Sequence, residues 1–209
     1  MSGVGRDSPA AGLARTWTLF WFAPAGVRPL ALVRMLTGAV GLLLAWSYAD
    51  DLLTWFGPDG MIPRDVATTW RPRWAASLYD LAGTSAAVVT LFAALLAALV
   101  CLVVGLASRL AAVAAAVLWA SLLHRGPMLA GPADDCLSVL LWCLAVGPCG
   151  GDLSLDRLLR DRAGRPTIGK SPWAGLALGL VKVHAAAIAI ATLLDRKSTR
   201  LNSSHANIS

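Results

Sequence analysis

The stretch TSAAVVTLFAALLAALVCLVVGL, residues Thr84 to Leu106, decides the fold. It runs for 23 residues without a charged side chain, and a helix that crosses a bilayer needs about 20 mostly apolar residues. Four further runs bounded by charge, Pro or Gly flank it: about Leu30 to Ala49, about Leu110 to Leu123, about Met128 to Val146 and about Trp173 to Leu194. The run ending at Leu123 is short, and the one ending at Val146 carries an acidic pair in its first half. None reads as a strand. The pattern predicts an all-α fold, a polytopic transmembrane helix bundle of at least five spans, placed as a multi-pass protein in the cell inner (plasma) membrane.

Composition agrees with that reading. Of 209 residues, 57% are apolar and only 14% charged, and the mean hydropathy is +0.65, too oily for an ordinary water-soluble domain. The net charge of +6 is spread between apolar runs and forms no patch, which argues against a nucleic-acid partner. Cys101, Cys136, Cys143 and Cys149 form no CxxC pair, no metal pattern and no disulfide scaffold, and read as small apolar packing residues. Glu and Gln are absent. No phosphate loop, nucleophile elbow or HExxH helix is present.

Three segments follow along the chain: 1–28, a cytoplasmic or interfacial leader with Trp17, Phe20, Trp21 and Phe22; 29–195, the bundle; and 196–209, a tail foreign to the rest. The sequence from Asp195 to Ser209 holds both Asn residues, Asn202 and Asn207, and resembles translated sequencing-adapter read-through. Removing Arg196, Lys197 and Arg200 takes the net charge from +6 to +3, and the natural protein is expected to continue differently beyond Leu194. The sequons at Asn202 and Asn207 are short patterns in that foreign context. Ala45-Trp46-Ser47-Tyr48-Ala49 resembles a signal-cleavage site, but the segment before it is too long for a signal peptide.

Orientation follows from positive charge, which is retained on the cytoplasmic side. Arg6, Arg15, Arg28, Arg34, Arg109, Arg157, Arg160, Arg162, Arg165 and Lys170 fall on one side, and Arg64, Arg71, Arg73 and Arg125 on the other. That count puts the N-terminus inside and the segment from Asp50 to Gly83 outside. The outer segment is aromatic and turn-rich. Trp55, Phe56, Gly57, Pro58, Asp59 and Gly60, with Trp70, Trp74 and Tyr79, read either as an interfacial belt or as a lid over a cavity between helices.

Ionisable groups inside spans mark functional sites by default. Arg34, one turn into the first run, is expected to snorkel to the interface. Lys182 lies mid-way along the last run, too far from its ends to do so. His184 is two residues on, on a different helix face, so the two form no dyad; it is a general base or an interhelix contact. Asp134 and Asp135 open the fourth run, one expected to cap the helix and the other to face the bundle. The weak catalytic candidates are thus Asp135, Lys182 and His184, with an outward pocket framed by Asp134 and residues Trp55 to Pro63.

The order of features resembles the HTTM family, the membrane domain shared with vitamin K-dependent gamma-carboxylase. Leu32-Val33-Arg34-Met35-Leu36-Thr37-Gly38, Trp55-Phe56-Gly57-Pro58-Asp59-Gly60-Met61-Ile62-Pro63, Leu122-Leu123-His124-Arg125-Gly126-Pro127, Asp135-Cys136-Leu137 and Pro148-Cys149-Gly150-Gly151-Asp152-Leu153-Ser154-Leu155-Asp156 carry the resemblance, over about Pro29 to Leu194. Val181-Lys182-Val183-His184 fits the beginning of the family's fifth-span motif. The resemblance implies a membrane-embedded, peptide-modifying enzyme with a reduced quinone as cosubstrate, whose base lysine would fall at or just after Leu194; neither Lys182 nor Lys197 matches that position. The alternative is a non-catalytic membrane partner for maturation or export of a small secreted peptide. A transporter ranks last, because no inverted repeat or broken-helix pair is visible. A cysteine placed at Arg160 should stay unlabelled by an impermeant thiol probe in intact cells; external labelling would invert the topology.

Overall fold

The structure, a computed structural model, describes residues 9–166 and 169–206. Arg6 and the sequon at Asn207 lie outside the described residues. The chain is mostly helical, and each of the five apolar runs forms a helix: α2 (Val27–Ala49), α5 (Ser85–Val104), α6 (Ser108–Arg125), α7 (Pro132–Val146) and α9 (Pro172–Ala206). Shorter helices α1 (Pro9–Phe22), α3 (Leu52–Phe56), α4 (Arg64–Trp70) and α8 (Leu155–Arg162) occupy the leader and the connections. The composition change after Leu194 brings no break in the backbone of α9.

Three helices are long and apolar enough to cross a membrane: Val27–Ala49, Ser85–Val104 and Pro172–Leu194, with mean hydropathies of 1.7, 3.0 and 2.0. They mark the chain as a membrane protein. Of the five expected spans, α6 and α7 are shorter, at 18 and 15 residues. At 1.5 Å per residue a 15-residue helix is about 22 Å long, less than the roughly 30 Å hydrocarbon core.

α5 packs against α2 and α6, α6 against α7, and α7 against α2 and α9. In α2 the buried positions Val27, Leu30, Ala31, Arg34, Thr37, Gly38, Gly41 and Ala45 recur at helical spacing and make one inward face. Small residues let α5 approach closely. A Cβ on Gly38 would lie 2.7 Å from Val103 Cγ2, and one on Gly41 would lie 2.8 Å from Leu99 Cδ2. A two-residue antiparallel bridge, Ala25 with Ser171 and Gly26 with Lys170, holds the starts of α2 and α9 at the same end. α1 packs on α9 through Trp21, 3.3 Å from where a Gly179 Cβ would sit, while Leu13, Trp17 and Phe20 stay exposed.

Arg34 overturns the snorkelling expectation. It is 0% exposed; Nη1 donates to the Leu102 carbonyl at 2.8 Å and Nη2 to the Leu153 carbonyl at 2.7 Å. The reason is its register on the inward face of α2, which points the side chain at the end of α5 instead of along the bilayer. Leu102 is in the last turn of α5, whose carbonyls have no intrahelical partner, so a buried cation there is well placed. Leu153 takes φ +46, a left-handed conformation costly for leucine, and supplies the second carbonyl. Gly105, at φ +79, ends α5 in the left-handed conformation that favours glycine, and a Cβ there would collide with the Arg34 guanidinium.

Asp156 completes the joint. α6 starts after Ala107, at φ +46, with no side-chain cap of its own. The Asp156 carboxylate, from the first turn of α8, accepts from Ala107 N at 2.7 Å, Ser108 N at 2.8 Å and Ser108 Oγ at 2.7 Å. It therefore caps α6 from 48 residues away, satisfying free N–H groups at the positive end of the helix dipole. Burial works against the ionised carboxylate, but the Ser108 and Ala107 donors outweigh it and hold the carboxyl below its usual range. A depressed folded value means the stability carried by Asp156 is complete above the unfolded carboxylate value of about 4 and is lost as pH falls through the lower folded value. Asp156→Asn should cost about 2 kcal/mol at neutral pH. Thermal unfolding against pH should show that difference shrinking below pH of about 4.

Candidate functional site

The outer segment divides in two. Trp70 and Trp74 are 67% and 81% exposed, as an interfacial belt requires. Phe56, by contrast, is buried, with its ring 6.2 Å from Tyr48 and 6.4 Å from Tyr79. It sits over Gly126, where a Cβ would lie 2.6 Å from Phe56 Cε1. The Pro58-Asp59-Gly60 turn closes with Gly60 N donating to Gly57 O at 3.1 Å and Met61 N to Thr54 O at 2.8 Å. Trp55 is half-buried, Gly57 buried, and Pro58 and Asp59 exposed. These residues act as a plug: the turn holds Phe56 in the end of the bundle that carries Gly126.

The two aspartates of α7 part company. Asp134 is buried, and its Oδ2 accepts from Gly131 N at 2.7 Å at the start of α7. Its backbone carbonyl accepts from Trp119 Nε1 at 3.1 Å, and the Tyr48 phenol sits beside its carboxylate. Asp135, one position on, is turned about 100° around the helix and lines a different space. The Phe56 plug and Asp134 therefore share one aromatic nest, whereas Asp135 belongs elsewhere.

That other space is a cavity of about 310 Å³ between α7 and α9, lined by Asp135, Cys136, Leu140, Val181, His184 and Ile188 among others. Its walls are almost wholly apolar, with Asp135 at the start of α7 and His184 well along α9. His184 Nδ1 meets the Leu180 carbonyl at 2.8 Å. Because the carbonyl only accepts, Nδ1 carries the proton, and Nε2 is left with a lone pair as acceptor or base. A second groove, about 370 Å³, runs between α2 and α7; Cys136 and Leu140 line both.

Lys182 is exposed and does not line the α7–α9 cavity. Of the three catalytic candidates, Asp135 and His184 are thus brought to one space and Lys182 is left on another face of α9, as spacing of two on a helix requires. The residues that do the most at the two ends, Arg34, Asp156 and Arg125, were each part of a motif but had no role assigned by it. The roles of Arg34 and Asp156 depend on partners 48 to 119 residues away, which no local pattern displays. The four cysteines are free thiols.

No protein-family model, curated protein or solved structure matches the chain. The two aspartates are separable by experiment: Asp134→Ala should lower stability by about 1 kcal/mol through loss of the contact to Gly131 N. Asp135→Asn should leave the unfolding midpoint unchanged; equal losses would return both to a purely structural role.

Proposed function

We propose that this chain is an integral membrane protein with an HTTM/gamma-carboxylase-like transmembrane domain, a membrane-embedded peptide-modifying enzyme that uses a lipid-soluble quinol. In this reading it crosses the inner membrane five times with its N-terminus in the cytoplasm. The bridge between β1 (Ala25–Gly26) and β2 (Lys170–Ser171) supports the count, because alternating passes through α2, α5, α6, α7 and α9 require α2 and α9 to start on the same side. Arg28, Arg109, Arg157, Arg160 and Lys170 gather toward that side, as a cytoplasmic face requires.

The observation that carries the functional reading is the α7–α9 cavity. An apolar space of about 310 Å³ with two polar groups has the size and character of a small-molecule pocket, and its walls suit a ring that partitions from the bilayer. A quinol supplies a dissociable ring hydroxyl. In this reading His184, which lines that space, accepts that hydroxyl's hydrogen bond at Nε2, then its proton. Asp135, in the first turn of α7, lines the same space and can engage a donor there.

The second reading, a non-catalytic partner for a small secreted peptide, is favoured by the position of Lys182. With that ammonium off the cavity, no lysine among the described residues stands in it. The two readings part on one experiment. Full-length protein in nanodiscs should bind a reduced naphthoquinone, read by tryptophan quenching, and His184→Ala should weaken binding roughly tenfold, about 1.4 kcal/mol. Asp135→Asn should abolish turnover with expression intact, and Lys182→Ala should change neither. A wild-type protein that does not bind the quinol removes the enzyme reading and leaves the partner reading.

A further inference from the structure

Helix α8 turns its polar side in and its apolar side out. Leu155, Leu158, Leu159 and Arg162 recur at helical spacing on one face, and Asp156, Arg157, Arg160 and Asp161 share the opposite one. The polar face is the one fastened to the bundle. Asp156 N donates to the Gly105 carbonyl at 3.0 Å while its carboxylate caps α6, Arg160 donates to the Gly150 carbonyl, and Arg157 pairs with Asp152. The leucines face away, with Leu158 56% and Leu159 53% exposed.

What covers them follows from where α8 sits. Its first turn touches the turn that ends α5, one of the helices long and apolar enough to cross a membrane. Val100 and Val104, one turn apart at the end of α5, are exposed, as on a helix face that meets lipid. An open cleft of about 520 Å³ joins Val104 to Leu153, Leu155 and Leu158. The leucine face thus continues the apolar surface of a span to the depth where headgroups begin. The eight residues of α8 are too few to hold two copies together, since a stable contact takes about 20 to 30 residues a side.

The charges at this end select the lipid. Asp152 is shared by Arg157 and, at 3.9 Å, by Arg28. Asp161 Oδ2 lies 3.6 Å from Arg157 Nε, and Asp156 is engaged on the start of α6. By contrast, Arg109, Arg162, Arg165 and Lys170 are exposed and join no ion pair among the described residues, so this end keeps a cationic surplus. A surplus of that sign beside a membrane attracts anionic headgroups. Arginine at the edge of an apolar helix face reaches a phosphate while its stem stays among the chains.

We propose that α8 lies in the headgroup layer with its leucines among acyl chains, and that Arg162 and Arg165 hold the phosphate of an anionic phospholipid whose chain enters the cleft beside Val104. The α7–α9 cavity shares no residue with this cleft, so the lipid site stands apart from the quinol reading.

Amide exchange on the full chain in nanodiscs, read by mass spectrometry, tests it. Phosphatidylcholine doped with phosphatidylglycerol should slow exchange over residues 153–162 several-fold relative to phosphatidylcholine alone. The segment 51–63, at the other end, reports how much of the change a charged surface causes in general. Native mass spectrometry should show phosphatidylglycerol retained in preference to phosphatidylcholine. Arg162→Gln with Arg165→Gln should abolish the preference and leave the protection seen in phosphatidylcholine, and Leu155→Asn with Leu158→Asn should speed exchange in both lipids. These side chains are exposed, so the fold should survive both pairs of changes. Equal exchange and equal retention for the two lipids overturn the proposal: loss of protection in the leucine variant then assigns the face to lipid of any headgroup, and no loss leaves it in water. Protection in micelles that rises with protein concentration assigns the face to a second copy and overturns it as well.

Discussion

Two charges at one end of the bundle, the buried Arg34 and the half-buried Asp156, hold the arrangement of the helices. The Arg34 guanidinium joins α2 to the last turn of α5 and to the chain before α8, and the Asp156 carboxylate joins α8 to the first turn of α6. Each works by giving a helix terminus what it lacks: a cation for carbonyls without partners, an anion for N–H groups without partners. In a bilayer, where water supplies neither, such groups must be satisfied from within the protein. The turn between α5 and α6 is tight enough to need Gly105 at φ +79 and Ala107 at φ +46, and that strain is tolerated because Arg34 and Asp156 hold it from both sides.

The opposite end is closed by aromatic packing. Tyr48, Phe56, Tyr79 and Trp119 form a run of ring contacts, with Trp119 0% exposed and hydrogen-bonded to the start of α7. One end is therefore fastened by ion-to-backbone contacts and the other by rings, and the apolar helices between need only close packing through Gly38 and Gly41. Between those ends lies the α7–α9 cavity.

Much of the fold was legible before the structure. Run length and hydropathy located all five long helices, while the end of α5 at Val104, before Gly105, came from the structure, since the apolar run continued to Leu106. The site was legible only in part. Asp135 and His184 stood out because ionisable groups in apolar runs are costly, and Lys182 stood out for the same reason, yet only two of the three share a cavity. Helical spacing separated Lys182 from His184 in advance; which of them met α7 depended on how α9 is rotated, and that is set by packing with α1 and the β1–β2 bridge. Adjacent aspartates posed the same problem, since one residue of register turns a side chain about 100°.

The sequence alone determined that the chain is helical, that it belongs in a membrane, and where its long helices lie, because those properties follow from local runs and their length against a bilayer. Tertiary structure alone decided that Arg34 turns inward, that Asp156 caps a helix 48 residues back, that Phe56 packs over Gly126, and that Asp135 and His184 line one space. Each of these is a contact between distant segments. A helix offers every side chain a direction, and only the neighbouring helix fixes which direction is the inside.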